Sequence, residues 1–464
     1  MSALPPQVED IERPAADAAA SESTPLLAAD GASVVVTATK APRLLFLDHV
    51  RGLLMCLQSI DHSRLFLSRI AIQHEEWWNM PDFEGSLYHW FVRFLTASCA
   101  PGFFLTMGMS IVLFTLSRQR MEWHWLSILK HFFIRGGVLV GFNFFMLPAN
   151  MPLVTTVLFS LGVDLFLGSC CVLLEGVSTR ALIARLTGTR TAIEATRLGT
   201  SISIGCYVAA AAIISPLASW YTPGKAHMND HNNWWFRLAF LPHMPIAADR
   251  FQLYSMYAPV PWMPFVLWGI ALQRMSAQFE LRPKQSGLLH AAIGTAMWIV
   301  FIPLRLHEGF GNINPGELHP SPRHSFINFF NLTKYPPSVA YTLCTLGIIH
   351  LVCALFILME TKLKDSLWTS ERNPLIVFGR SAFFFYIAHF YVYRIMRWLL
   401  LQTGDITEAP GSSKGGWPSG QTGNLSDPAY WFAWVVGLVV LYQMCLKYGR
   451  FKASKSPSSI WRFF

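Results

Sequence analysis

Ten stretches of about 20 mostly apolar residues recur along this sequence, and each is long enough for a helix to cross a bilayer. In lipid, a spanning segment must satisfy its own backbone hydrogen bonds, which restricts such stretches to helices or closed barrels. They lie at 44–60, 90–116, 126–147, 151–174, 201–220, 259–274, 287–304, 337–358, 374–400 and 430–447. We therefore predict an all-α, polytopic integral membrane protein with about ten transmembrane helices.

The charge content agrees with a membrane protein. Charged residues make up 14% of the chain, whereas soluble domains carry about 25%. The net charge of +9 would indicate nucleic-acid binding in a soluble protein. Here Lys and Arg are more than twice as numerous in the short connections of one side as in the long loops of the other, which is typical of cytosolic loops. We expect the lipid bilayer as partner, no nucleic acid, and both termini in the cytosol.

The ends of the chain differ from the apolar middle. Residues 1–40 are rich in Ala, Pro, Ser and acidic side chains and lack apolar periodicity, so we expect a disordered cytosolic tail. Residues 41–450 are the predicted membrane domain, and 451–464 form a short basic cytosolic tail. The membrane can be an endomembrane of vacuolar or lysosomal type or the plasma membrane.

Long polar loops are predicted on the non-cytosolic side, where binding and chemistry are then expected. They cover 61–89, 221–258, 305–336 and 401–429. The sequons at Asn331 and Asn424 both fall in these loops, so both are predicted glycosylation sites.

Several enzyme classes find no support in the sequence. No Walker motif, GxGxxG, HExxH or GxSxG element is present. All eight cysteines lie in apolar runs without metal-ligand spacing, so we expect buried thiols and no metal.

The first helix holds the densest set of charged groups. Asp48 and Arg51 are three residues apart and can pair, either as part of a site or as a structural lock. Asp61 and His62 follow at its far end, where a carboxylate can orient an imidazole that acts as general base. His74, in the first outer loop, is the other candidate base.

Four further residues are candidates for binding. Arg93 can bind a phosphate or carboxylate through two hydrogen bonds, or can pair with an acidic residue of the first helix. Lys334 lies on a proline-rich turn, while Arg380 and His389 lie at different depths of the ninth helix. Those two either contact a ligand or hold the bundle together.

Taken in order, these motifs resemble the catalytic-domain family of heparan-alpha-glucosaminide N-acetyltransferase, and within it the DUF1624 branch of bacteria and fungi. The resemblance spans about residues 43–450. The residues that carry it are Leu47-Asp48-x-x-Arg51-Gly52, Asp61-His62, Phe91-x-Arg93-x-x-Thr96, Cys99-Ala-Pro101, Gly108, Pro261-Trp262-x-Pro264, Lys334-Tyr335-Pro336-Pro337-Ser338, Gly379-Arg380 and Phe385-Tyr386-x-x-His389.

The resemblance implies a membrane enzyme that takes acetyl groups from acetyl-CoA and delivers them across the membrane, without a metal. The lysosomal member acetylates a terminal glucosamine and needs a luminal histidine after its first helix. That histidine corresponds either to His62 or to His74. The base would be one of these two, with Asp61 orienting it, and the predicted substrate or CoA contacts are Asp48, Arg51, Arg93, Lys334, Arg380 and His389.

Two other functions fit the same residues. One is a transporter of a small solute, in which the intramembrane charges gate the path. The other is an O-acyltransferase that acts on a glycan or lipid. The acceptor is expected to be a small molecule or a glycan, and a homodimer is among the expected assemblies.

Overall fold

The computed structural model describes residues 44–68, 80, 83–146, 153–187, 192–221, 234–240, 245–248, 251–313, 321–406 and 425–455. The predicted tail 1–40, His74 and Asn424 lie outside these residues. The described helices are α1 Leu45–Leu67, α2 Leu87–Ala97, α3 Cys99–Arg120, α4 Trp125–Phe145, α5 Val157–Thr187, α6 Ala192–Tyr221, α7 Trp234–Phe240, α8 Pro259–Gln278, α9 Pro283–His307, α10 Phe326–Phe329, α11 Val339–Lys362, α12 Pro374–Arg380, α13 Ala382–Thr403 and α14 Asp427–Ala453. A 3₁₀ turn at Phe83–Gly85 precedes α2.

Seven described helices or helix pairs are long and apolar enough to cross a membrane, or eight if the bent pair α12–α13 is one span. The chain is therefore a helical integral membrane protein. Each of the ten predicted stretches is mostly helical, but those at 44–60 and 259–274, now α1 and α8, fall short of this criterion. The count of ten spans stays a prediction.

The two exceptions lie inside the bundle. Along α8, the side chains from Trp262 to Val266 are all buried, as are Leu47, Val50 and Leu54 of α1. Four acidic or basic side chains interrupt the apolar sequence of α1 at Asp48, Arg51, Asp61 and Arg64. Helices enclosed by other helices can carry polar groups, because those groups find partners in the protein.

Close backbone contact fixes α12 against α1. A Cβ on Gly52 would overlap the carbonyl of Leu375, and a Cβ on Gly379 would overlap the carbonyl of Asp48. Only glycine permits this approach. The axis then turns by 101° between α12 and α13, which directs α13 back along α1 and brings distant residues together.

A small sheet is the feature that the all-α prediction missed. Its strands are β1 Leu153–Thr155, β2 Pro245–Ala248 and β3 Phe251–Ser255, in the order β1-β3-β2. β1 pairs with β3 in parallel, with Val154 opposite Tyr254, and β2 pairs with β3 in antiparallel fashion. Strands of three to five residues are too short to show a clear alternation of apolar and polar side chains, and these strands lie next to long apolar helices. The sequence therefore did not reveal them.

The cysteines divide between core and surface. Cys99, Cys344, Cys353 and Cys445 are buried, Cys56, Cys170 and Cys171 are half-buried, and Cys206 is exposed on α6. The prediction that all eight thiols are buried was therefore wrong for Cys206, since an apolar run in a membrane protein also supplies its outward-facing side chains.

Candidate functional site

Two histidines from opposite ends of the sequence meet near the end of α1. Nδ1 of His62 lies 2.7 Å from Nε2 of His389, and the rings stack with centroids 5.0 Å apart. Tyr430 of α14 holds the adjacent turn of α1, because its hydroxyl donates to the Ile60 carbonyl and contacts the Ser63 hydroxyl. His62 is half-buried, while His389 is only 1% exposed.

The hydrogen bonds assign the protons of this histidine pair. Nδ1 of His389 lies 3.1 Å from the carbonyl of Phe385, which can only accept, so this nitrogen carries the proton. In the neutral ring, Nε2 of His389 is then an acceptor, and Nδ1–H of His62 donates to it. Nε2 of His62 is left with a lone pair, as a general base or nucleophile requires.

Asp61 has a different partner from the one predicted. Its Oδ2 accepts a 2.7 Å hydrogen bond from Arg93 of α2, with the two side chains 13% and 7% exposed. The side-chain partner of His62 is His389, whereas the partner of Asp61 is Arg93. The alternative for Arg93, a pair with an acid of the first helix, is confirmed.

Lys334 joins this group from the turn before α11. It is 5% exposed, and its Nζ lies 5.2 Å from the ring centroid of Tyr335. Lys334 and Arg93 are the two cations whose charges act on His62. The Tyr335 hydroxyl donates to that of Tyr257 at 2.8 Å, which ties the turn to the start of α8.

A cavity of about 330 Å³, its open mouth included, reaches Arg93. One face of α2 supplies Trp90, Arg93, Phe94 and Ala97, spaced as helix neighbours. The opposite wall comes from the loop before α11 and from α11 itself. The complete lining is Phe83, Trp90, Arg93, Phe94, Ala97, Phe330, Asn331, Leu332, Tyr341 and Thr345.

The other predicted binding residues lie elsewhere. Arg51 contacts Asp48 at 3.7 Å, as the spacing predicted. At 1.5 Å per residue, Arg51 and Asp48 lie about 16 and about 21 Å from His62 along α1. Arg380 pairs with Glu371 at 2.9 Å, on the far side of the bend from His389. The structure therefore brings together His62, Asp61, Arg93, Lys334 and His389, and we call these five the histidine cluster.

A second histidine pair was missed by sequence reasoning. The Trp268 indole donates to Nε2 of His350 at 2.9 Å, and Nδ1 of His350 lies 2.9 Å from Nδ1 of His290. His49 was also missed, although it adjoins Asp48. It contacts Glu360 at 3.1 Å and the Trp368 carbonyl at 3.0 Å. Single histidines in apolar runs carry no pairing signal, since their partners lie on other helices.

No group of three or more His, Cys, Asp or Glu side chains in the described part of the chain could hold a metal ion. Compared with protein-family models and with curated proteins, the chain matches neither. The assignment of a function therefore depends on the geometry of the site and on the resemblance in sequence.

Proposed function

We propose that the chain is an integral-membrane acyltransferase that moves an acetyl group from acetyl-CoA to an amino sugar or a related glycan on the non-cytosolic side. The observation that carries this proposal is the orientation of His62 by His389, which leaves a lone pair on Nε2. The resemblance in sequence adds the donor and the acceptor class.

Acetyl transfer from a thioester to an amine needs a base and a group that stabilises an oxyanion. In a direct transfer, Nε2 of His62 removes a proton from the acceptor nitrogen as it attacks the thioester carbon. The C–S bond then breaks, and the departing sulfur takes that proton from His62. The charges of Arg93 and Lys334 act on His62, and two cations suit a developing negative charge.

A covalent route uses the same residues. Nε2 of His62 attacks the thioester carbon and the C–S bond breaks, so that CoA leaves as its thiolate. The acceptor nitrogen then attacks the acetyl-imidazole, the bond from the acetyl carbon to Nε2 breaks, and the proton lost by the acceptor passes to the thiolate. Transfer of label to the protein in the absence of acceptor distinguishes this route from the direct one.

The cavity beside Arg93 is the proposed acceptor site. Its aromatic wall, Trp90 and Phe94 on α2 and Phe330 opposite, offers flat apolar faces for a sugar ring. Arg93 and Asn331 add polar groups to the same lining. An apolar pocket with a few polar groups is typical of small-molecule sites.

The decisive experiment incubates purified full-length protein with radiolabelled acetyl-CoA and a panel of amino sugars. We expect His62→Ala to lower kcat by about 10²- to 10⁴-fold, the usual contribution of a general base. His324→Ala is the matched control, because His324 is exposed on a loop. His74→Ala tests the other candidate base. Absence of acetyl transfer by the wild type would refute the proposal, and full activity of His62→Ala would refute the site.

The same assay distinguishes an O-acyltransferase from an N-acetyltransferase, because an O-acyltransferase would also label sugars that lack an amine. A transporter is the second candidate, favoured by the buried Asp61–Arg93 pair. Uptake of a solute by proteoliposomes without acetyl-CoA would support it.

The proposed topology puts both termini in the cytosol and the sequons on the other side. Asn331 lies in the cavity lining, so a glycan there would stand at the mouth. We expect Asn331→Gln and Asn424→Gln each to remove one glycosidase-sensitive mobility shift. Persistence of both shifts would contradict this orientation.

A further inference from the structure

An aspartate that the histidine cluster does not use lies inside a candidate membrane span. Asp164 is fully buried on α5, whose apolar segment Val157–Glu175 is long enough to cross a membrane. At 1.5 Å per residue, Asp164 lies about 11 Å from Val157 and about 17 Å from Glu175 along the helix. An acidic side chain at this depth is costly, and it usually marks an ion pathway or a proton relay.

The carboxyl group of Asp164 has a single partner among the residues that the structure describes. Ser160, one turn earlier, donates a 3.3 Å hydrogen bond to its Oδ2, while Oδ1 is buried without a hydrogen bond. Glu175, at the end of the same span, is different. It contacts Arg274 at 3.0 Å and accepts a hydrogen bond from Tyr207 at 3.1 Å. The fold therefore supplies a cation to Glu175 and none to Asp164.

The face of α5 that carries Asp164 packs on apolar side chains. Gly168 is four residues further on and shares this face. A Cβ on Gly168 would meet the side chains of Ile111 on α3 and Val266 on α8. Gly162, which contacts α4, lies about 200° away around the helix. Asp164 therefore lies on the side of α5 that packs against α3 and α8.

Polar side chains lead from Asp164 toward the start of α5 only. Ser160 and Thr156 precede it at intervals of four residues, which places them along one face of the helix. Thr156 is half-buried, just before the first residue of α5. In the other direction the same spacing gives Gly168 and Val172, whose side chains have no polar atom. Since a hydroxyl both donates and accepts, Ser160 can pass a proton toward Thr156.

We propose that Asp164 is a proton-binding site within the membrane, at which a neutral carboxylic acid exchanges its proton through Ser160 with water at the start of α5. A carboxylate with one hydroxyl donor, no cation and apolar neighbours is much less stable than the neutral acid. In the acid, Oδ2 accepts from Ser160 and Oδ1 carries the proton. The site does not depend on the proposed acyl transfer.

The test is infrared difference spectroscopy of the purified full-length protein near pH 7, where a free aspartate is ionised. A detergent without carbonyl groups, such as dodecyl maltoside, leaves the carboxyl region of the spectrum clear. The carbonyl band of a neutral acid is separate from the bands of a carboxylate. Asp164→Asn removes the proton site at nearly constant volume. Glu175→Gln is the matched control, because it removes a carboxylate that has a cation on the same helix.

We expect the difference between wild type and Asp164→Asn to contain the band of one neutral acid. The difference between wild type and Glu175→Gln should contain carboxylate bands alone. Carboxylate bands in place of the acid band for Asp164 overturn the proposal. If Asp164→Asn does not fold, labelling of the aspartate carboxyls with carbon-13 in the wild type decides, because the absence of an isotope-sensitive acid band overturns the site.

Transfer of the protein to deuterated water tests the route of exchange. The acid band shifts when deuterium replaces the proton, so its time course gives the rate of exchange. Ser160→Ala should slow this rate about fivefold, the equivalent of about 1 kcal/mol for one hydrogen bond. An unchanged rate in Ser160→Ala overturns the route through Ser160.

Discussion

Replacement of His389 offers the sharpest test of the histidine cluster. In His389→Ala, Nδ1 of His62 loses its 2.7 Å acceptor, and a polar group left unsatisfied costs about 1–3 kcal/mol. His62 can relieve this cost by moving its proton to Nε2 or by turning its ring, and either change removes the lone pair from the reaction. At 1.36 kcal/mol for each factor of ten, kcat should fall by about five- to 150-fold.

The assay is single-turnover acetyl transfer with saturating acceptor, so that the change appears in kcat and not in KM. His389→Gln keeps a carbonyl acceptor for Nδ1–H and should recover part of the activity. Because His389 acts only through His62, the double variant His62→Ala/His389→Ala should be no slower than His62→Ala alone. His350→Ala is the matched control, since it disrupts a buried histidine pair elsewhere. Additive losses in the double variant, or no difference between Gln and Ala at 389, would show that His389 does not orient His62.

Three further variants probe the site and its frame. Asp61→Asn leaves Arg93 without its counter-charge and should destabilise the protein by about 3–5 kcal/mol; a thermal midpoint in detergent equal to that of the wild type would contradict this. Gly379→Ala forces a Cβ onto the Asp48 carbonyl and should cost about 1–3 kcal/mol, whereas Gly449→Ala, with open space around it, should cost little. Trp90→Ala removes one wall of the proposed acceptor cavity and should raise KM for the acceptor more than it lowers kcat; an unchanged KM would place the acceptor elsewhere.

Local spacing predicted local structure well. The Asp48–Arg51 pair is confirmed at 3.7 Å, because residues three apart on a helix are neighbours whatever the rest of the chain does. All ten apolar stretches lie on helices along most of their length, although the stretch at 151–174 begins with β1 before α5. The stretch at 90–116 is divided at Ser98, where α2 ends and α3 begins.

The residues of the site could be predicted from the sequence, but the contacts between them could not. His62, Asp61, Arg93, Lys334 and His389 were all candidates, but their pairing depends on which helices touch. His62 and His389 are 327 residues apart in sequence, and they meet because Gly52 and Gly379 let α12 reach α1 before the chain turns into α13. Asp61 and His62 are adjacent in sequence, but their side chains point about 100° apart on a helix. They therefore contact different partners.

The choice of a histidine to orient His62 has a consequence for the proposed reaction. A carboxylate in that position would add a buried negative charge that needs its own cation, and Asp61 already requires Arg93. With a neutral orienting group, the described cluster holds one carboxylate and two cations, Arg93 and Lys334. That balance favours the negative charge that forms on the thioester oxygen and then on the departing sulfur. Lys334→Gln should therefore slow acetyl transfer without weakening the binding of an uncharged acceptor. A fall in acceptor affinity with kcat unchanged would instead make Lys334 a binding residue.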